Sequence, residues 1–230
     1  MTRTLVVAGY GPGISEAVAR KFGAEGFAVA LVSRNEERVK EGAQNLAASG
    51  VQAEGFVCDL GDTAAIASLL ADVKATLGPV TVLHWNAYAP VAGDLTTASI
   101  DELRNSLDVG VHGLIAAMQE VLPDMKAQKD AAILVTGGGL SAYDEKVDTM
   151  AVQWNAMGLA VTKAAQHKLA GLLHQKLAGE GIYVGEVIVL GMVKGTAFDT
   201  GHATLEPSDI ADKFWSMYQG RSEICAKFGG

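Results

Sequence analysis

Short apolar runs alternate with helix-length segments from one end of the chain to the other. The runs are rich in β-branched residues and nearly continuous in hydrophobicity, which is typical of strands buried on both faces of a parallel sheet. They cover Thr4–Ala8, Ala28–Val32, Val51–Val57, Val80–His84, Ile133–Val135 and Tyr183–Leu190. The segments between them predict helices over Ile14–Glu25, Glu36–Ser49, Thr63–Leu77, Ile100–Lys129 and about Asp148–Ala178. This order predicts one α/β domain over residues 1–230, with a doubly wound parallel sheet and helices on both faces.

Turn residues fall at the predicted ends of these elements. Glycines stand where helices end, at Gly26, Gly50 and Gly78, and a last helix is predicted to begin at Glu206-Pro207. The least regular stretches each follow a predicted strand: Ala89–Ser99, Gly137–Val147 and Lys194–Thr204. In open α/β sheets ligands bind beyond the carboxyl ends of strands, so these loops are expected to line a substrate side.

Composition narrows the class of protein. The 230 residues are 49% hydrophobic and carry a formal net charge of −8 with no basic patch, which argues against nucleic-acid binding. The two cysteines, Cys58 and Cys225, lie far apart with no CxxC pair, which favours a reducing compartment and predicts no metal site. With neither a leader pattern nor a membrane-length apolar run in the sequence, we expect a cytoplasmic protein without membrane contact.

A glycine-rich turn follows the first predicted strand. The sequence VAGYGPGIS places Gly9, Gly11 and Gly13 before Ile14, where the first helix is predicted to begin. Bare backbone at such a turn lets amide groups and a helix N-terminus approach a pyrophosphate. An ordinary strand-to-helix turn is the alternative, but the position after the first strand of an alternating chain favours a nucleotide site.

These residues resemble those of the short-chain dehydrogenase/reductases, whose first turn reads TGxxxGxG. Gly9 and Gly13 match the first two glycines, Ala8 replaces the threonine, and Ser15 takes the third glycine position, as in the enoyl-reductase branch. The similarity continues to CDL, to a counterpart of NAG, to KAA and to the end of the sixth predicted strand. It implies a Rossmann fold, a homodimer or homotetramer, and further cofactor-binding residues at Asp59, Leu60, Asn86, Ala87, Lys163, Gly191 and Val193.

The end of the second predicted strand bears on the choice of dinucleotide. Ser33-Arg34 stands where an acid would accept hydrogen bonds from an adenosine ribose diol. A hydroxyl and a guanidinium suit a 2′-phosphate, so NADP(H) is predicted over NAD(H). The alternative is a solvated arginine at the start of a polar helix. Asp59 resembles the family acid that binds the adenine amino group, and it is also placed to cap the next helix.

The resemblance implies a catalytic set of asparagine, serine, tyrosine and lysine, in which the tyrosine is the acid and the lysine lowers its pKa and holds the nicotinamide ribose. Lys163 matches the lysine. The tyrosine position falls on Leu159, or on Ala156 with the enoyl-reductase spacing; the serine position falls on Gly138 and the asparagine position on Gly110. Three of the four aligned positions therefore carry no matching side chain.

Two hypotheses follow. The protein reduces or oxidises a small apolar carbonyl or activated alkene with a non-standard proton donor, or it binds NADP(H) as a catalytically silent sensor or partner protein. Ser141 and Tyr143 are accessory candidates for the donor, as are Tyr88, His112 and water. His84, His167 and His174 share no ligand spacing with an acidic partner and are interpreted as structural, while Trp154, Met150 and Met157 suggest an apolar wall.

Overall fold

The computed structural model describes residues 3–230 and contains one seven-stranded, all-parallel sheet. Its strand order is β3-β2-β1-β4-β5-β6-β7. The strands are β1 (Arg3–Ala8), β2 (Phe27–Ser33), β3 (Ala53–Val57), β4 (Val80–Trp85), β5 (Ala132–Gly138), β6 (Tyr183–Leu190) and β7 (Cys225–Gly229). None of the helices in residues 3–230 is long and apolar enough to cross a membrane.

Residues 3–230 contain eight α-helices. They are α1 (Ile14–Ala24), α2 (Glu36–Ala48), α3 (Thr63–Leu77), α4 (Ile100–Leu107), α5 (Gly113–Lys126), α6 (Glu145–Gln153), α7 (Met157–Leu177) and α8 (Pro207–Gly220). Six of them cover the two faces of the sheet, while α4 and α6 pack against α7. Side chains of α1, α2 and α8 form one core layer with Leu5 and Val7 of β1, while α3, α5 and α7 form the other with Val6 and Ala8. The fold is the predicted doubly wound Rossmann-type sheet, and burial on both faces explains why its strands are continuous apolar runs.

The strand order reverses between β1 and β4. The chain runs outward from β1 through β2 to β3, then returns to the other side of β1 and continues from β4 to β7. Such a reversal opens a crevice at the carboxyl ends of the two central strands, where open α/β sheets bind ligands. The turn at Gly9 follows β1 at this crevice.

Both long helices predicted from the sequence are interrupted. The stretch predicted as Ile100–Lys129 consists of α4, a π-helical turn over Asp108–His112, and α5. The stretch predicted as Asp148–Ala178 consists of α6 and α7, separated at Asn155, whose φ of 51° breaks the helix. Hydrophobic periodicity continued across both breaks, so it did not reveal them.

Other differences lie at the sheet edges. The strand β7 was not predicted. Its sequence, CAKFG over Cys225–Gly229, contains a lysine and ends in glycine, so it lacks the continuous apolar run of the buried strands. β3 begins at Ala53 rather than Val51, and β5 extends to Gly138, three residues beyond the predicted end at Val135. The predicted start of the last helix at Pro207 is confirmed, with proline in its first turn.

Candidate active site and cofactor cleft

A cleft of about 1460 Å³ opens at the carboxyl ends of β1, β2, β4, β5 and β6. It contains the residues predicted from the glycine turn, the second strand and the family resemblance, with the exception of Gly13. Those that line it are Gly9, Gly11, Ile14, Ser33, Arg34, Asp59, Leu60, Asn86, Ala87, Lys163, Gly191 and Val193. The topology therefore gathers at one crevice residues that lie far apart in the sequence.

The glycine turn is built by close backbone approaches. Gly9 has a φ of 85°, and a Cβ atom there would lie 2.5 Å from the backbone nitrogen of Ala87. Ser15 closes the turn, because its buried Oγ accepts a hydrogen bond from the Gly11 nitrogen and donates one to the Gly11 oxygen, both at 2.9 Å. Gly13, with a φ of 88°, packs against Thr196 of the loop after β6 and is not itself among the residues that line the cleft. A side chain at Gly9 or Gly13 would both strain the backbone and displace a neighbour.

Two arginines, not one, flank the end of β2. Arg34 and Arg38 are both exposed and both line the cleft, and Arg38 Nη1 lies 3.6 Å from the position of a Cβ atom on Gly11. The side chain of Asn35 caps α2 by accepting a hydrogen bond from the Arg38 nitrogen at 2.8 Å. Sequence reasoning missed Arg38, although its spacing of four from Arg34 at a helix start was a usable signal.

Asp59 lines the cleft but does not cap the next helix. Its Oδ1 accepts a hydrogen bond from the Gly61 nitrogen at 3.0 Å. The cap of α3 is Asp62, which accepts from the nitrogens of Ala64 and Ala65. The capping alternative for Asp59 was therefore wrong by three positions, and its carboxylate faces the cleft instead.

Lys163 lies at the inner end of the cleft and is largely buried. Its Nζ donates hydrogen bonds to the backbone oxygen of Thr136 at 2.7 Å and to Oε1 of Gln166 at 2.9 Å. Among residues 3–230 the third N–H of the ammonium group has no protein acceptor. Burial lowers the pKa of Lys163 to about 8, against an opposing effect of the negative charge on Glu186.

A buried polar layer supports this lysine. Gln166 Nε2 donates to the Gly110 oxygen at 2.6 Å, which fixes the amide whose oxygen receives Lys163. His84 Nε2 lies 3.0 Å from Oγ1 of Thr136, and its Nδ1 has no partner in the described part of the chain. Burial and the charge of Lys163 lower the pKa of His84 to about 3, so its imidazole is neutral.

The positions aligned with the family's serine, asparagine and tyrosine differ in the space around them. A Cβ atom on Gly138 would make ordinary contacts with Lys163, at 3.9 Å from its Cγ. A Cβ atom on Gly110 would overlap Cγ2 of Thr162. Leu159, one turn before Lys163, lines the cleft as an apolar side chain. A serine therefore has room at 138, whereas an asparagine has none at 110.

The accessory donors Ser141 and Tyr143 are not among the residues that line the cleft. Tyr143 is fully exposed, in the short stretch between the turn after β5 and α6. His112 is also exposed, with its Nδ1 2.7 Å from Oδ1 of Asp108. Tyr88 does line the cleft, where it stacks on Phe198 with ring centroids 5.7 Å apart, and burial raises its pKa.

The histidines interpreted as structural have defined partners. His174 Nδ1 lies 2.7 Å from the Val184 oxygen, and His84 is fully buried. His167, however, does have an acidic partner: its Nδ1 lies 2.6 Å from Oε2 of Glu186. The expectation that His167 lacked such a partner was wrong, because the pair joins a helix to a strand nineteen residues later and sequence spacing cannot show it.

The outer part of the cleft is apolar. Around the stacked pair of Tyr88 and Phe198, the wall is formed by Val147, Met150, Trp154, Leu159 and Met192. Trp154 is 58% exposed and Phe198 50% exposed, so large apolar surfaces face solvent at the mouth. Met157 is not part of this wall, because it begins α7 outside the lining. The rest of the predicted wall is present.

Comparison with known proteins agrees with this geometry. The family model described as short chain dehydrogenase matches residues 3–204. Meso-2,3-butanediol dehydrogenase from Serratia marcescens is 28% identical over 212 residues, which cover 92% of this chain and 78% of that protein. An actinorhodin polyketide ketoreductase structure with NADPH has a TM-score of 0.86 at 21% identity, covering 100% of this chain and 96% of that one. An NADPH-bound short-chain oxidoreductase from Pseudomonas aeruginosa, described as containing an atypical catalytic center, has a TM-score of 0.83 at 18% identity, covering 97% and 94%.

The chain therefore belongs to the short-chain dehydrogenase family of oxidoreductases.

Proposed function

We propose that this protein is an NADP(H)-dependent oxidoreductase that acts on a small, apolar carbonyl or activated alkene, with Lys163 in place of a tyrosine as the proton donor. The observation that carries the proposal is the ammonium group of Lys163 at the inner end of the cleft, with one N–H free of protein acceptors in residues 3–230. The apolar wall and the paired arginines define the two ends of the same cleft.

The residues present fit a dinucleotide. Gly9 holds the backbone so close to Ala87 that a Cβ atom would overlap it, and the N-terminus of α1 at Ile14 opens on the same turn of the cleft. Arg34 and Arg38 make no salt bridge with any described residue, so both guanidinium groups are available to an anion. The end of β2 carries these two exposed cations, and Ser33 stands where an acid would bind a free ribose diol. This combination favours a 2′-phosphate.

When bound, the nicotinamide cofactor supplies the hydride for reduction or accepts it for oxidation. Lys163 performs the proton part of the reaction: its protonated Nζ donates to the substrate oxygen, which is the carbonyl oxygen of a ketone or aldehyde or the enolate oxygen of an activated alkene. The neutral amine that remains still donates hydrogen bonds to Thr136 and Gln166, and it regains a proton from solvent. A pKa of about 8 matches this role near neutral pH.

The side chains around Lys163 keep this donor in place. Its Nζ donates hydrogen bonds to the backbone oxygen of Thr136 and to the side-chain amide of Gln166. That amide is fixed in turn by its hydrogen bond to the Gly110 oxygen. Leu159 covers the side on which a tyrosine would stand, and the bare Gly138 leaves the approach to Lys163 open. The wall that includes Trp154 and Phe198 favours a substrate that buries apolar surface near the reacting group.

The test is NADPH oxidation with a panel of aliphatic and aromatic ketones, aldehydes and enones. We expect turnover with apolar members, its loss in Lys163→Arg with NADPH binding retained, and wild-type turnover in Lys168→Arg, a matched exposed lysine on α7. Tight NADPH binding without turnover of any member would instead favour the silent NADP(H)-binding alternative. Absence of binding to either dinucleotide would contradict both.

Two further predictions rest on the family resemblance. Members of this family commonly pair through the helices that correspond here to α4, α5 and α7, so we propose a homodimer or homotetramer. We also propose a cytoplasmic location, in keeping with two free cysteines at Cys58 and Cys225. Light scattering of the purified protein tests the first proposal, and cell fractionation tests the second.

A further inference from the structure

Three side chains with metal-binding atoms meet at the outer part of the sheet, away from the cleft. They are His167 on α7, Glu186 on β6 and Cys225 on β7, and we call them the edge triad. One nitrogen, one carboxylate oxygen and one sulfur of the edge triad all lie within 4.8 Å of one another. Glu186 and Cys225 are register partners on neighbouring parallel strands, so their side chains share the sheet face on which α7 packs.

Glu186 is the unusual member of the edge triad. The residue is 1% exposed, yet only Oε2 has a partner, His167 Nδ1 at 2.6 Å. Oε1 is buried with no hydrogen-bond donor among residues 3–230. A buried carboxylate normally has its charge matched and its oxygens satisfied, because desolvation is costly. The charge of Lys163 acts on Glu186, but its Nζ donates to Thr136 and Gln166 instead, so Oε1 has no donor.

The chain also makes room for this carboxylate. Gly137 on β5 is the neighbour of Glu186, and a Cβ atom there would overlap Oε1. Any other residue at 137 would displace the carboxylate from its position. The carboxylate of Glu186 therefore fills the space over Gly137, and it lies beside the two other ligand types.

We propose that the edge triad binds a divalent ion of the zinc class. Imidazole nitrogen, thiolate sulfur and carboxylate oxygen are the donors that Zn²⁺ combines in proteins, with metal–ligand distances of about 2.0–2.3 Å. Tetrahedral coordination at those distances separates ligand atoms by roughly 3–4 Å, so the triad needs side-chain adjustments of no more than about 1 Å. Binding replaces the hydrogen bond between His167 and Glu186 and releases the thiol proton of Cys225 to solvent.

The fourth position of the ion is open to water. The side chain of His167 is 44% exposed, so solvent reaches the edge triad from the side of α7, whereas Glu186 is buried on the side of the sheet. The ion would join α7 to β6 and to the edge strand β7. It would thereby anchor β7, the edge strand that follows α8.

A simple pair between His167 and Glu186 is the competing explanation. That pair accounts for Oε2, but it leaves Oε1 unsatisfied and gives Cys225 no role. A zinc-class ion satisfies the carboxylate charge and uses all three side chains. None of the three lines the cleft, and metal binding is measured without turnover, so the test does not depend on the proposed oxidoreductase activity.

The test is a titration of the chelator-treated, full-length protein with Co²⁺, followed by Zn²⁺ as competitor. We expect one equivalent of Co²⁺ to produce the thiolate-to-cobalt charge-transfer band, and Zn²⁺ to abolish it. Cys225→Ser is expected to lose the band, whereas Cys58→Ser, which removes the other free thiol, is expected to retain it. His167→Ala is expected to weaken Co²⁺ binding by at least about tenfold, since one of three protein ligands is lost.

A second measurement keeps the test informative if a variant folds poorly. Zn²⁺ is expected to raise the melting temperature of the wild-type protein and of Cys58→Ser, but not that of Cys225→Ser. The proposal is overturned if folded wild-type protein gives no thiolate band with Co²⁺. It is equally overturned if the band and the Zn²⁺ stabilisation persist in Cys225→Ser, because the thiolate ligand would then lie elsewhere.

Discussion

The methyl group of Thr162 on α7 occupies the space that a side chain at Gly110 would need. Gly110 lies in the π-helical turn between α4 and α5, and its backbone oxygen accepts a hydrogen bond from Gln166. Thr162 is itself held by hydrogen bonds to Ser106 and to the Gly158 oxygen. The position that the family resemblance aligns with asparagine is thus filled by the packing of two helices.

This relationship predicts opposite outcomes at two glycines. Gly110→Asn is expected to lower the free energy of unfolding by about 1–3 kcal/mol, because the new side chain must displace Thr162. Gly138→Ser is expected to change it by no more than about 0.5 kcal/mol, because a Cβ atom there meets only ordinary contacts. Urea unfolding of both variants provides the comparison. Equal destabilisation would show that Thr162 does not restrict position 110.

The paired arginines predict a charge-dependent choice of dinucleotide. Arg34→Glu and Arg38→Glu are each expected to weaken NADPH binding by about tenfold or more, because each removes a charge-assisted contact and adds repulsion of the 2′-phosphate. NADH binding is expected to change much less. The ratio of the two dissociation constants, measured by fluorescence titration, reports the effect.

Lys40→Glu is the matched control for this prediction. Lys40 is exposed on the same helix as Arg38 but does not line the cleft, and its substitution makes the same change in net charge. An unchanged NADPH-to-NADH ratio in Arg34→Glu, or an equal change in Lys40→Glu, would show that the arginines do not contact the phosphate.

Buried His84 predicts a loss of stability in acid. Its pKa is about 3 in the folded protein, against an ordinary value of 6.5 for an exposed histidine, so the folded state binds fewer protons than the unfolded state between these values. Stability contributed by neutral His84 is therefore present above about pH 6.5 and is lost as the pH falls. Between pH 7 and about pH 4.5 the loss amounts to about 2.5 kcal/mol.

Two variants separate this effect from the loss of a hydrogen bond. His84→Phe removes the titrating ring and is expected to flatten the pH dependence of the unfolding free energy in this range. Thr136→Val removes the same hydrogen bond but leaves the imidazole, so the pH dependence is expected to persist. If both variants kept the wild-type slope, His84 would not be the group that titrates.

The stacked pair at the cleft mouth predicts selectivity for apolar substrates. Phe198→Ala removes the partner of Tyr88 and is expected to raise KM for an apolar substrate by about fivefold, equivalent to about 1 kcal/mol, with a smaller change in kcat. His202→Ala, in the same loop and also lining the cleft, serves as the control. A larger effect on KM in His202→Ala than in Phe198→Ala would argue against an apolar binding surface.

The sequence predicted the parts of the fold that depend on local pattern. The continuous apolar runs identified β1, β2, β4, β5 and β6, and the strand-to-helix turn at Gly9 lies at one end of the cleft. The breaks at Asp108–His112 and Asn155 were missed because the sequence was judged by hydrophobic periodicity, although asparagine readily adopts the positive φ seen at Asn155. The edge strand β7 lacks a continuous apolar run, so its pairing with β6 follows from tertiary structure alone.

Sequence motifs led to residues that line the cleft, whereas two candidates chosen for their place after a strand do not line it. Lys163 and Arg34 were located by motif, and both line the cleft. Ser141 and Tyr143 were chosen because they follow β5, but neither lines the cleft, and Tyr143 is fully exposed. The pair of His167 and Glu186 joins separate elements, which sequence spacing does not reveal.

The most direct test of Lys163 as the proton donor is the pH dependence of kcat for NADPH-dependent reduction, measured for the wild-type protein and for Lys163→Arg. The donor is active when protonated, so wild-type kcat is expected to fall as the pH rises through about 8. An arginine stays charged in this range and does not donate a proton, so Lys163→Arg is expected to bind NADPH without turnover. Wild-type turnover in Lys163→Arg, or a wild-type kcat that stays constant from about pH 7 to about pH 10, would contradict the assignment of Lys163 as the proton donor.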